Sequence, residues 1–99
     1  MKKTILFTML IGVALSAADG TTLYKKCAAC HGTNGEKKAL GKSEVINTMS
    51  EGDLVSALKG YKAGTRNTKG MGALMKGQVA SYSEADITAV SEYISSIKQ

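Results

Sequence analysis

Apolar side chains recur at intervals of three and four residues in three segments of the chain, and this spacing predicts amphipathic helices. The first segment, 21–30, has the spacing at Leu23, Tyr24 and Cys27. The other two have it over longer stretches: Leu54, Val55, Leu58 and Tyr61, and Ile87, Val90, Ile94 and Ile97. No segment alternates apolar and polar residues between hairpin turns. The pattern therefore predicts a small all-α domain.

Polar residues and glycines predict where these helices begin and end. Ser50 with Asp53, and Ser83 with Asp86, have the spacing of a helix N-cap and the third residue after it. Gly60 and Gly64 are expected to end the second helix. Gly70, Gly72 and Gly77 are expected to shorten the helix that follows. We therefore expect about four short helices, of which the third is confined to 73–79.

The first seventeen residues predict a leader rather than a part of the fold. Two lysines precede an uncharged, mostly apolar run at 5–15, and small residues then lead to Ala18. This is the layout of a secretory signal peptide. Cleavage just before Ala18 leaves a domain of residues 18–99 and predicts export to the periplasm. Because the run is shorter than the about 20 residues that span a bilayer, the alternative is a retained interfacial anchor.

Composition limits what the remaining chain can do by itself. The 99 residues include no tryptophan and carry a formal charge of +5. Without residues 1–17 the charge is +3, since two of the 13 basic residues leave and all 8 acidic residues stay. That charge is too small to predict a nucleic-acid partner. A domain this short, with four tyrosines as its aromatic residues, is expected to need a cofactor to complete its core.

The segment Cys27-Ala28-Ala29-Cys30-His31 contains both cysteines and the only histidine of the sequence. On a helix, positions three and four apart lie on one face. Two thiols on one turn can form thioether bonds with the two vinyl groups of a haem, and the imidazole beside them can reach the iron. The spacing predicts covalent attachment of haem c, with Cys27 and Cys30 as the attached residues and His31 as the proximal iron ligand.

Three other interpretations of this segment use fewer of the observations. A thioredoxin-like dithiol belongs beside a βαβ pattern, which is missing from the sequence. A zinc site would need further ligands from carboxylates. A disulfide between Cys27 and Cys30 would close a very small loop and add little stability.

The other face of the iron has methionines as its main candidate ligands. No second histidine exists, and a thioether paired with histidine favours Fe(II) and suits an electron carrier. The candidates after the leader are Met49, Met71 and Met75, of which the last two lie in a glycine-rich stretch. Lysine, the amino terminus, water and an open position remain the alternatives.

The chain resembles the small class I cytochromes c of bacteria, especially the cytochrome c-553 group. The resemblance rests on 27–32, on the opening Ala18-Asp19-Gly20 and on the final helix with Tyr93, and it covers essentially 18–99. In that family the distal methionine stands a few residues before a Tyr-Ser pair, which here implies Met75, with Met71 as the second candidate. The family's crossing of the first and last helices implies that Gly20 packs against Tyr93.

One departure from the family concerns the orientation of the proximal imidazole. Many class I cytochromes orient it through the carbonyl of a proline, and this sequence has no proline. We expect a carbonyl in the loop 40–43 to take that role.

The predicted function is a monomeric, monohaem, one-electron carrier rather than an enzyme. Its partners are expected to be acidic redox proteins of a respiratory chain, such as a terminal oxidase, a peroxidase or another reductase. The cations that would steer them are Lys25, Lys26, Lys37, Lys38, Lys69 and Lys76. The mature domain is expected to bind no membrane. The alternative functions are a ligand-binding or peroxidatic haem protein with a labile distal ligand, and a haem-free dithiol oxidoreductase.

Overall fold

The computed structural model describes residues 19–97, and within them the chain forms four α-helices. These are α1 (Gly20–His31), α2 (Glu51–Ala63), α3 (Gly72–Val79) and α4 (Glu84–Ser96). The connections contain three 3₁₀ turns: Ala39–Gly41, Ile46–Thr48 and Thr68–Gly70. The prediction of an all-α domain is confirmed, as residues 19–97 contain no β-strand. The leader predicted for 1–17 lies outside the described residues and stays a prediction.

Side-chain caps begin three of these helices. The Asp19 carboxylate accepts a hydrogen bond from a backbone N–H two residues later, at 3.1 Å. The Ser50 hydroxyl accepts the N–H of Asp53 at 3.1 Å. At α4 the cap is reciprocal: Ser83 accepts the N–H of Asp86, and the Asp86 carboxylate accepts the N–H of Ser83, each at 3.0 Å. Such caps each stabilise a helix by about 1 kcal/mol, because they satisfy N–H groups that have no partner inside the helix.

The end of α2 differs from the prediction in one respect. Gly64 ends the helix in a left-handed conformation with φ of 83°, as expected, but Gly60 lies inside the helix. The carbonyl of Gly60 accepts the N–H of Thr65 at 2.9 Å, and a Cβ on Gly60 would lie 3.1 Å from the Cβ of Arg66. Gly60 therefore does not break the helix; the missing side chain lets the chain fold back over it and brings Arg66 alongside α2.

The core lies where α4 packs against α1 and α2. Ile87 and Val90 of α4 are fully buried, and Ile94 continues the same stripe. The rest of the buried apolar cluster comes from Tyr24, Leu54, Val79 and Tyr82. Burial of each large aliphatic side chain stabilises the fold by about 1.5–3 kcal/mol. The stripe predicted for the last helix is therefore the centre of the domain.

Tyrosine hydroxyls fix the ends of α1. Tyr82 donates to the carbonyl of Leu23 at 2.6 Å, and Tyr24 donates to the carbonyl of Gly32 at 2.6 Å. The rings of Tyr24 and Tyr93 also meet, with centroids 5.5 Å apart. These contacts hold the cysteine segment against the core. Among residues 19–97 no helix combines the length and apolar character needed to cross a membrane.

Candidate functional site

A cleft of about 260 Å³ lies beside the core, and most of its lining is apolar. Its walls come from all four helices together with the connections 39–49 and 66–71. The apolar wall residues are Ala57, Leu58, Tyr61, Val79, Tyr82, Val90 and Ile94. A cleft of this kind excludes water from a bound group and leaves specificity to a few polar side chains.

The cysteine and histidine side chains of the predicted motif all line this cleft. Cys27 is half-buried and Cys30 is exposed, and neither forms a disulfide. Burial raises the pKa of the Cys27 thiol. Both sulfur atoms are therefore available at the cleft, and Cys27 is held in its protonated form.

His31, at the end of α1, is 7% exposed, and burial lowers the pKa of its imidazole. A neutral imidazole is the form that binds a metal. Its Nδ1 atom is buried and makes no hydrogen bond to any residue in 19–97. Nε2 is therefore the nitrogen open to a ligand in the cleft.

One backbone carbonyl that acts on this imidazole belongs to Lys37. The carbonyl of Lys37 raises the pKa of His31 and so opposes the effect of burial, although it does not complete a hydrogen bond to Nδ1. Lys37 is held there because its N–H donates to the carbonyl of His31 at 2.9 Å. A carbonyl of the loop 40–43 in this role stays a prediction; within that loop the Ser43 hydroxyl accepts the N–H of Ala39 at 2.8 Å.

All three candidate methionines also reach the cleft. Met49 precedes α2, Met71 precedes α3, and Met75 lies within α3 one turn later, where its N–H donates to the carbonyl of Met71 at 3.0 Å. Met71 is 6% exposed, whereas Met75 is partly buried and packs against the core cluster. The fold brings soft thioether sulfurs to the same cleft as the thiols and the imidazole.

Arg66 is a site residue that the sequence analysis missed. Its guanidinium lies over the ring of Tyr61, with 5.3 Å from Cζ to the ring centroid, and its Nε is buried without a hydrogen-bond partner in the described chain. It lines the cleft, so an acidic group bound there would satisfy this donor. Arg66 is the only arginine in the sequence, and this was the one sequence feature that could have indicated a special role for it.

Two of the six lysines that were predicted to steer partners lie against other parts of this chain. Lys26 donates to the carbonyl of Gln78 at 2.8 Å. Lys76 lies over the end of α2, where a Cβ on Gly64 would meet its Nζ at 3.2 Å. The four others are exposed: Lys25, Lys37, Lys38 and Lys69.

The donor set fits a covalently attached haem. Two thiols, an open imidazole nitrogen and thioether sulfurs share an apolar cleft with a buried, unpaired arginine donor. The zinc alternative gains no support, because residues 19–97 contain no cluster of three or more histidine, cysteine or carboxylate side chains suited to a metal ion.

Comparison with known proteins supports the same interpretation, a protein with covalently attached haem. The family model for cytochrome c matches residues 17–98. The chain is 42% identical to the cytochrome c-553 of Helicobacter pylori, over 99% of this chain and 100% of that protein. It is 35% identical to the cytochrome c-553 of Nitratidesulfovibrio vulgaris, over 96% and 99% of the two chains. A shorter similarity, 49% over 37 residues, links it to the cytochrome c-552 of Thermus thermophilus and covers 36% of this chain and 25% of that one.

Proposed function

The chain belongs to the cytochrome c family, and from this premise we propose that it is a periplasmic one-electron carrier with iron bound by His31 and Met75. Its cofactor is covalently bound haem c, and its activity is electron transfer. The working protein is the domain 18–99, released from the leader 1–17. When bound, the haem supplies one iron that changes between Fe(III) and Fe(II).

Cys27 and Cys30 hold the haem through thioether bonds. Cys27 is half-buried and Cys30 is exposed, and both line the cleft. Each thiol would hold the haem by a thioether bond to one of its two vinyl groups. The covalent links keep the cofactor in a domain that is too small to enclose it by burial alone.

His31 provides the proximal nitrogen. Its low exposure and lowered pKa keep the imidazole neutral, and the buried position of Nδ1 directs Nε2 to the iron. The Lys37 carbonyl opposes the effect of burial on the pKa of His31, so we propose it as the group that would orient the ring once the haem is bound.

Met75 provides the distal sulfur. It lies in a regular helix, α3, and packs against the core cluster, so the thioether is held by the fold. A thioether favours the ferrous state and raises the reduction potential. Met75 would hold the iron together with His31, and a methionine and histidine pair suits an electron carrier better than a peroxidatic protein.

Acidic redox proteins are the proposed partners. Lys37 and Lys38 follow the histidine directly, and Lys69 lines the cleft. Leu74, which is 44% exposed, also lines the cleft and gives an apolar contact beside these cations. Positive charge around an apolar contact speeds encounter with an acidic surface and allows close approach at its centre.

The observation that carries the proposal is the single apolar cleft shared by Cys27, Cys30, His31 and Met75. Optical spectra of the ferric holoprotein test the distal ligand. The native protein should show the far-red charge-transfer band of a thioether bound to Fe(III). Met75→Ala should abolish the band and lower the potential, and the matched variant Met71→Ala should keep both. A band that survives in Met75→Ala and is lost in Met71→Ala would refute the assignment.

A further inference from the structure

α3, the helix that contains Met75, has few capping features of its own. α3 spans only the eight residues Gly72–Val79, and Met71 before it gives no side-chain cap, so its first N–H is accepted by Asn67 Oδ1 at 2.8 Å. Ala80 after it is in a right-handed conformation, where many helices have a left-handed glycine. The last carbonyls of a helix have no partner inside it and carry partial negative charge. The position of α3 therefore depends on groups from elsewhere in the fold.

Lys26 of α1 supplies one of these groups. Its Nζ donates to the carbonyl of Gln78 at 2.8 Å, across 52 positions of sequence, and lies 5.0 Å from the centroid of the Tyr82 ring. Tyr82 itself donates to the carbonyl of Leu23 in α1. The ammonium group therefore joins the helix of Cys27 to the end of the helix of Met75.

Lys62 of α2 supplies the other group, from a different side. Its Nζ donates to the carbonyl of Ala80 at 3.2 Å and to the carbonyl of Tyr82. Three carbonyls at and just after the end of α3 thus accept from two ammonium groups. Cations at this end of a helix are favoured by the helix dipole as well as by the hydrogen bonds.

We propose that Lys26 and Lys62 are positioning residues that hold α3 in place and so keep the Met75 sulfur on the iron. The inference rests on the proposed function, because it requires Met75 as the distal ligand. It gives Lys26 a different role from the partner steering expected from its charge. Without the two lysines, the end of α3 moves more freely, and the distal position of the iron opens more often.

Binding of imidazole to the ferric holoprotein measures this opening, because imidazole can occupy the distal position only when the sulfur leaves it. Lys26→Met and Lys62→Met should each tighten the apparent imidazole affinity by about two- to tenfold, which is the range expected for loss of one hydrogen bond. Lys25→Met removes the same charge from the next residue of α1 and should leave the affinity unchanged. Lys26→Arg, which keeps a donor, should restore most of the native value.

A second measurement separates a local effect from poor folding. On heating, the far-red thioether band of Lys26→Met should disappear at a lower temperature than in the native protein, while the helical circular dichroism is still intact. Equal imidazole affinities in Lys26→Met and Lys25→Met would overturn the proposal. Failure of the proposed function has a different signature: Met75→Ala would then bind imidazole no more tightly than the native protein.

Discussion

Gly20 lies so close to Tyr93 that a Cβ added to the glycine would stand 2.9 Å from the Cβ of the tyrosine. The same Cβ would stand 2.5 Å from the carbonyl oxygen of Ala89. The first turn of α1 therefore crosses α4 at a point where only a hydrogen atom fits. This is the contact that the resemblance to bacterial cytochromes implied, and the structure confirms it.

Replacing Gly20 with alanine should destabilise the holoprotein. The backbone of α4 cannot yield as a flexible side chain would, so the variant is expected to lose about 1–3 kcal/mol of unfolding free energy. Denaturation by guanidinium chloride measures the loss.

Gly52→Ala is the matched control. Gly52 is a helical residue of α2, and a Cβ there would have no atom within 4 Å. This variant should be as stable as the native protein or more stable by about 0.4–1 kcal/mol, since alanine restricts the unfolded chain. Equal losses in the two variants would contradict the close crossing.

Tyr24→Phe should change how stability depends on pH. Burial raises the pKa of Tyr24 to about 12 from its usual 10, so the folded state favours the protonated phenol. That contribution is complete below about pH 10 and is lost as pH rises towards 12. The native protein should therefore lose more unfolding free energy between about pH 8 and pH 11 than the variant does.

Tyr93→Phe serves as the control for this pH experiment. Tyr93 keeps its ring contact with Tyr24, and its hydroxyl makes no hydrogen bond in the described part of the chain. Because Tyr93→Phe keeps the Tyr24 hydroxyl, it should lose more unfolding free energy between about pH 8 and pH 11 than Tyr24→Phe does. If the unfolding free energy of Tyr24→Phe depends on pH in the same way as that of the native protein, the buried hydroxyl does not contribute to this pH dependence.

Arg66→Gln should lower the reduction potential. We expect the guanidinium, whose Nε is buried without a partner in the described residues, to pair with a carboxylate of the bound haem, and loss of that positive charge favours Fe(III). A difference of about 0.5–1.5 kcal/mol between the two oxidation states, the size of one hydrogen bond, corresponds to roughly 20–65 mV for a one-electron couple. Redox titration measures the change. Lys59→Gln removes the same charge from an exposed position outside the cleft and should shift the potential much less; equal shifts would refute the pairing.

Reversing the charge of Lys37 and Lys38 together should slow electron exchange with an anionic probe. Oxidation by hexacyanoferrate(III) at low salt is expected to slow by about two- to tenfold, and the difference should shrink as ionic strength rises. Both side chains are exposed in the segment that follows His31. A rate that does not depend on salt in either protein would exclude steering by these lysines.

The parts of the fold that sequence predicted are those controlled by local chemistry. Ser83 and Asp86 form the expected reciprocal cap, and the stripe that contains Ile87 and Val90 is the core. The motif at 27–31 could be recognised from the sequence because its two cysteines and its histidine lie within about one helical turn.

The remaining features depend on residues that are distant in sequence. Gly60 was expected to end α2, but it lies inside the helix. Its missing side chain makes room for Arg66, and that contact depends on the path of the chain after the helix. Lys26 was expected to be a free surface cation, because its carbonyl partner lies 52 positions away. The Lys37 carbonyl is close to His31 in sequence, but which carbonyl after His31 acts on the ring depends on how that segment folds back.

Intact-mass measurement of the natively exported protein tests the central claim most directly. We expect a polypeptide of residues 18–99 that carries the added mass of one haem, with the addition retained after denaturation and assigned by fragmentation to the peptide containing Cys27 and Cys30. A native, folded protein with the mass of the bare polypeptide would contradict the account.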